Sequence, residues 1–215
     1  MKQIISTALT VCVCMILASC SCERFKEAKS AINNVKNLKD AAENMHESLE
    51  QAEERLEERK KRGDTLAIHY EKLAEFLPGS FEGYEPVGEM QGGTNTTPGM
   101  GSYSNVNQDY ENQAGDRLSI SIVDYNAAYA LYTTIMAAYV SGFEIDNTEE
   151  HIKGFSISDD VKGWTVHRKK ENRAQIYTGV SDRFHITVEA DNQEDIGFVM
   201  DVTTEEIALD KLAKM

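Results

Sequence analysis

The side chains with the richest chemistry stand at the front of the chain. Cys12, Cys14, Cys20 and Cys22 are the only cysteines in 215 residues. A thiolate can serve as nucleophile, metal ligand or disulfide partner. Cys20 has a setting the others lack. It follows Leu17-Ala18-Ser19, which closes an apolar run from Ile4 to Leu17 behind a positive charge at Lys2. Charge, apolar stretch and small residues, in that order, make up a secretion signal. Cleavage between Ser19 and Cys20 would discard Cys12 and Cys14 and leave Cys20 as the first residue. Everything beyond Cys22 lacks cysteine. The folded part is therefore expected to be held by core burial without disulfides, although an exported protein could form them.

Leu17-Ala18-Ser19-Cys20 matches a lipobox, and the segment resembles the bacterial lipoprotein class. The resemblance implies diacylglycerol on the Cys20 sulfur and signal cleavage between Ser19 and Cys20. It also implies a further acyl chain, palmitate in type, on the new amino terminus. One acyl chain binds a bilayer marginally, whereas two or three anchor stably. Residue 21 is Ser rather than Asp, which by the same resemblance implies the outer membrane, on its periplasmic side. The rival is an uncleaved spanning helix. An apolar run of about 14 residues falls short of the roughly 20 that a span needs.

His46, His69, His151, His167 and His185 form neither His-x-His nor His-Glu-x-x-His, and a zinc site needs three or four converging ligands. His167 and His185 are expected on the polar face of a sheet, on non-adjacent strands. Asp191-Asn192-Gln193-Glu194-Asp195 is acidic but lacks the Gly and Glu positions of a calcium loop. It reads as a turn leading into a helix, and Asp159-Asp160 as another turn. Gly99-Met100-Gly101-Ser102 has neither the strand nor the helix of a dinucleotide site. No Gly-x-Ser-x-Gly elbow or phosphate-loop Lys occurs. Arg168, Lys169, Lys170 and Arg173 form a basic hairpin tip, read as a solvated edge. No catalytic residue, cofactor or metal is expected, and the protein is not expected to be an enzyme.

Charge narrows the partners. The net charge is −14, and residues 77–215 hold 10 Lys/Arg against 23 Asp/Glu. Such a domain is repelled by phosphate backbones and anionic headgroups, so no nucleic acid is expected. Acyl chains, rather than surface charge, would hold it at the membrane.

Several elements must position these residues. Neither Gly nor Pro occurs from Glu23 to Arg62. Ala28, Ala31, Val35, Leu38, Ala42, Met45, Leu49, Ala52 and Leu56 recur in alternating steps of three and four, a heptad seam. Arg59 interrupts it. A helix over 24–62 would be about 58 Å long. It would act as a stalk, as a coiled-coil partner or as a helix folded back on its own domain, with Gly63 as its terminator. Asp64 to Leu77 carries a second helical stripe, ended by Pro78-Gly79.

Strands are expected at Glu85–Gln91, Tyr103–Tyr110, Leu118–Asp124 and His151–Ile157. A meander follows around Trp164–His167, Ile176–Val180 and Arg183–Glu189. Gly92–Gly101 reads as a loop. If two-residue turns join the meander, Trp164, Val166, Tyr177, Phe184, Ile186 and Val188 share the core face. Thr165, His167, Lys169, Thr178, His185, Thr187 and Glu189 then share the other face. Asn126 to Phe143 is free of charge and reads as a buried internal helix rather than a membrane span. Ile207, Leu209 and Leu212 mark a C-terminal helix.

The expected class is α+β: a mostly antiparallel sheet, one buried internal helix and a C-terminal helix, preceded by a long N-terminal helix. The divisions are 1–19 signal, 20–63 anchored spacer, 64–77 second helix and 78–215 acidic globular domain. Phe76-Leu77-Pro78, Gly83-Tyr84, Asp124-Tyr125 and Arg183-Phe184 give the globular part a resemblance to uncharacterised exported bacterial proteins, which implies no chemistry. The expected function is an envelope lipoprotein whose domain binds a ligand or partner from a helical stalk. The rival is a structural or assembly lipoprotein that oligomerises through helix 24–62.

Overall fold

The computed structural model describes residues 50–97, 101–126, 128, 132–133, 136 and 144–215. The expected signal, Ser19, Cys20 and the spacer up to residue 49 lie outside the described residues. So does most of the segment expected as the internal helix.

The expected fold class is corrected. Among the described residues the chain forms one eight-stranded sheet, antiparallel throughout, accompanied by short helices. Its strands are β1 (Tyr84–Thr97), β2 (Gly101–Asn112), β3 (Arg117–Asp124), β4 (Glu144–Asp146), β5 (Glu150–Ser158), β6 (Val161–Arg168), β7 (Arg173–Val180) and β8 (Phe184–Ala190). Their order across the sheet is β1-β2-β3-β8-β7-β6-β5-β4. Two meanders, β1 to β3 and β4 to β8, therefore meet at a single joint between β3 and β8.

No long N-terminal helix lies among the described residues. The helical part, α1, covers residues 50–61. It stops where Gly63 takes φ +80°. Gly63 N donates to Lys60 O at 3.0 Å and Asp64 N to Arg59 O at 2.9 Å, the paired bonds of a glycine-terminated helix end.

The helix expected over Asp64–Leu77 shrinks to α2 (Tyr70–Leu73) and a 3-10 turn at Ala74–Phe76. The reason is competition for the backbone. Ala67 N donates to Ser102 Oγ at 2.7 Å and Ile68 N to Asp124 Oδ2 at 2.9 Å. Amides bonded to sheet side chains cannot also close helical turns. At the other end the expected helix is broken into α3 (Gly197–Asp201), a π-turn (Val202–Glu206) and α4 (Leu209–Ala213).

One face of the sheet carries the core. Val106, Tyr110, Leu118, Ile120, Ile122, Ile176, Val180, Phe184, Ile186 and Val188 are almost fully buried there, under Leu73, Phe81, Val199, Val202, Ile207 and Leu212. Burying such side chains contributes about 1.5–3 kcal/mol each. Tyr110 donates to Pro78 O at 2.8 Å, and burial pushes its phenol up to about 12.

The expected faces of the meander are half right. Trp164 pairs with Tyr177 and Val166 with Gln175, so Trp164, Val166 and Tyr177 do share a face. Phe184, Ile186 and Val188 lie on the opposite face, because Val180 pairs with Phe184 rather than with Arg183. Three residues, not two, make the turn, with Ser181 and Asp182 both at φ +50°. A shift of one residue turns every following side chain over. Thr165 and Thr178 thus belong to the core face, while His185, Thr187 and Glu189 join Trp164 and Tyr177.

The Gly92–Gly101 loop is also corrected: β1 runs on to Thr97, with Gly92 opposite Val106. A Cβ on Gly92 would lie 2.9 Å from Tyr70 Cδ2. Glycine there lets α2 settle on the strand.

The chain leaves β3 at Asp124 and re-enters the sheet at β4, five strand spacings or about 24 Å away. Tyr132, Thr133 and Met136 are helical, and Ala128, Tyr132 and Met136 are buried. Tyr132 and Met136 sit over Gly179, on the face opposite the core. Among the described residues no helix is long and apolar enough to cross a membrane.

Gly163 on β6 and Gly179 on β7 give a graded expectation. A Cβ on Gly163 would collide with the Tyr177 backbone carbonyl, whereas one on Gly179 would meet the ends of Tyr132 and Met136 at 2.5 and 2.6 Å. Gly163→Ala should cost roughly 3 kcal/mol and Gly179→Ala about 1 kcal/mol, the difference being that side-chain ends can move. Urea midpoints check this, and equal losses would show that the β6–β7 approach is looser than it looks.

Candidate functional site

The charged groups that the fold buries gather at one end of the sheet, around the β3–β8 joint. Asp124 ends β3 and is fully buried; Arg183 precedes β8 and is 3% exposed. The guanidinium grips the carboxylate with two bonds, Nε to Oδ1 and Nη2 to Oδ2, each 2.9 Å. Its Nη1 donates to Asp64 Oδ2 at 2.8 Å and to Met215 O at 3.4 Å. The Phe184 ring lies 4.8 Å beneath it. Asp124 also accepts from Ile68 N and Asn126 N, both at 2.9 Å. Asn126 is buried and donates to Asp64 Oδ1 at 2.7 Å. Each oxygen of the Asp124 carboxylate thus accepts two hydrogen bonds, a condition for a buried ion pair to be tolerated.

A second guanidinium lies alongside. Arg59, on the last turn of α1, is 4% exposed. Its Nη1 and Nη2 reach the carbonyl oxygens of Ser181 and Asp182 at 3.3 and 3.4 Å. Its Nε has no acceptor. Burial, and then repulsion from Arg183, pull its pKa below the ordinary arginine range. Arg55, one turn earlier, pairs with Asp160 at 2.6 Å and Asp182 at 3.5 Å. Burial raises the Asp182 carboxyl, against the opposing pull of Lys162, Arg55 and Arg59.

Between these groups opens a cleft of about 210 Å³, lined by Arg55, Glu58, Arg59, Arg62, Asp160, Ser181, Arg183, Ala213, Lys214 and Met215. It is a cationic recess in a strongly acidic domain. Planar guanidinium forks match oxyanions with two oxygens in one plane.

Of the residues singled out in the sequence, Ser19, Cys20 and His46 lie outside the described residues. His69 sits 3.5 Å from Glu71, His151 3.0 Å from Glu144, and His167 Nε2 donates to Gln193 O at 3.0 Å. His167 and His185 do not share a face. Among the described residues no three His, Cys, Asp or Glu side chains converge as for a metal ion. The basic hairpin tip is neutralised by its own chain: Lys169 meets Asp146, Lys170 meets Glu149 at 2.8 Å, and Arg173 meets Asp191 at 2.9 Å. The acidic turn leads into α3 as expected, with Asp195 Oδ1 accepting from Gly197 N at 2.7 Å.

Arg59, Asp124 and Arg183 had no assigned role in the sequence. Arg59 carried one signal: it stands at the next seam position after Leu56, where an apolar residue would be buried. The position is buried, but against carbonyl groups. No family model and no curated protein matches this sequence.

His185 is the other buried ionisable group of note. It is 7% exposed, with Tyr177 6.1 Å and Trp164 6.3 Å away, ring centre to ring centre. Its Nε2 has no partner, and burial lowers its pKa to about 4.

Two expectations follow from these buried groups. Arg183→Met or Asp124→Leu, each stranding its partner, should cost about 3–5 kcal/mol, while the two changes combined should cost less than their sum. Denaturant titration of the cycle reads the coupling, and strict additivity would dissolve it. Histidine unfolds into water with a pKa near 6.5, so the unfolded chain takes the proton first as pH falls. The stability due to neutral His185 is full above about pH 6.5 and drains away towards pH 4, by about 3 kcal/mol. His185→Phe should flatten that stretch of the stability–pH curve; an unchanged slope would place the titrating group elsewhere.

Proposed function

We propose that this chain is a bacterial envelope lipoprotein, held to the membrane by acyl chains on Cys20, whose sheet domain binds a ligand rather than transforming one. The observation that carries the address is the lipobox Leu17-Ala18-Ser19-Cys20 directly behind the apolar run. The outer membrane, on its periplasmic side, is the location that Ser21 favours. Binding is supported by the cationic cleft beside the β3–β8 joint.

The anchored domain begins earlier than residue 78. Arg55 and Arg59 tie the end of α1 to the Asp160 and Ser181–Asp182 turns. A buried Arg59 costs several kcal/mol to withdraw unless its partners go with it. The end of the spacer is therefore part of the binding domain, and any separation from the bilayer is set by residues 21 to 49.

Cys20→Ser tests the address. The wild-type protein should fractionate with membranes and carry the added mass of its acyl chains. The variant should keep its signal, gain no lipid and lose stable membrane attachment. Wild-type protein of unmodified mass in the membrane fraction would overturn the reading.

A further inference from the structure

The cleft beside α1 is more specific than its net charge suggests. We infer that it is a binding site for a small soluble oxyanion of the phosphate class, held between Arg59, Arg62 and Lys214 with Arg183 as its floor. The inference rests on reading the sheet domain as a binding module, and it names the ligand class.

Three observations carry it. The first is excess cationic charge in the recess. Arg55 is committed to Asp160 and Asp182, and Arg183 to Asp124 and Asp64. Arg62 and Lys214 are exposed on the rim and make no side-chain ion pair among the described residues. Glu58 is the other acid on the lining. The second is Arg59, which lines the recess nine-tenths buried, bonded only at 3.3 and 3.4 Å, with its Nε lacking any acceptor. An under-bonded buried guanidinium is costly, and an oxyanion bound in the recess would offset its charge. The third is that Arg59 and Arg183 line the same recess, with Arg183 close enough to disfavour the charge on Arg59. An anion between like charges lowers their repulsion, as in phosphate sites built from arginine.

Size and surroundings limit the ligand. About 210 Å³ suits one tetrahedral or planar oxyanion with a small substituent. The rest of the domain is strongly acidic, so extended polyanions and anionic bilayer surfaces are repelled. The geometry favours a free solute over a lipid headgroup.

The test is calorimetric titration of inorganic phosphate into the full chain carrying Cys20→Ser, and into wild-type protein in neutral detergent. One phosphate per chain should bind saturably, and the charge-reversed R62E/K214E protein should bind at least about tenfold more weakly. Both substitutions are on exposed side chains without partners, so near-ultraviolet circular dichroism and the phosphate-free Tm should not move. Absence of saturable binding, or undiminished binding by the charge-reversed protein, would overturn the site. Retention on phosphatidylglycerol vesicles without binding of inorganic phosphate would also overturn it. A Cys20→Ser chain that stays in membranes would sink the anchor alone, since the detergent titration does not depend on acylation.

Discussion

The grip of Arg183 on Asp124 is the constraint on which the rest of the structure depends. It sits where the two meanders meet, at the pairing of β3 with β8. Asp124 pairs with Phe184 across that joint. Hydrophobic burial alone would tolerate several registers of two apolar strands. A two-pronged ion pair with fixed spacing tolerates one. The same carboxylate holds the amide of Ile68 and the same guanidinium holds Asp64. One pair of charges thus fixes the sheet, the segment entering it and the turn before β8.

From that joint the two sides of the sheet divide their roles. The core face is closed by short elements from both ends of the domain, Leu73 and Phe81 from one and Val199 to Leu212 from the other. None of these helices is long enough to stand alone; each is stable because its apolar side meets the sheet. The second face receives the crossover from β3 towards β4, at least at Tyr132 and Met136 over Gly179. Charge would be costly at the buried Ala128, Tyr132 and Met136, which lie within the charge-free stretch from Asn126 to Phe143. The outer strands are protected differently. β4 has three residues, and β1 carries Pro86, Gly88 and a register shift between Val87 and Gln91, features that discourage edge-to-edge pairing.

The cleft is a consequence of the same arrangement. Once Arg183 is drawn inward by Asp124, the turn at Ser181–Asp182 presents its carbonyls to α1, and Arg59 follows them into the interior. Two guanidinium groups end up beside one another, with rim cations left over. Electrostatics that serve register at the joint leave an unsaturated cationic recess at its edge. The groups that close the fold also shape the cleft.

The sequence by itself determined what local order can encode. The strands around Leu118–Asp124 and Trp164–His167 and the Gly63 helix stop are legible as patterns of neighbours. Tertiary structure decided what depends on partners far along the chain. Asp64 to Ile68 read as helix because the stripe is helical, yet its amides are claimed by Ser102 and Asp124. The core face of β8 was misread because a third turn residue, Arg183, is set by its bond to a carboxylate 59 positions away. Arg59 looked like a break in an apolar seam, and became a buried cation only when the Ser181–Asp182 carbonyls arrived. Periodicity records which side of an element is apolar, but register, and the pairing of distant charges, exist only once the strands have met.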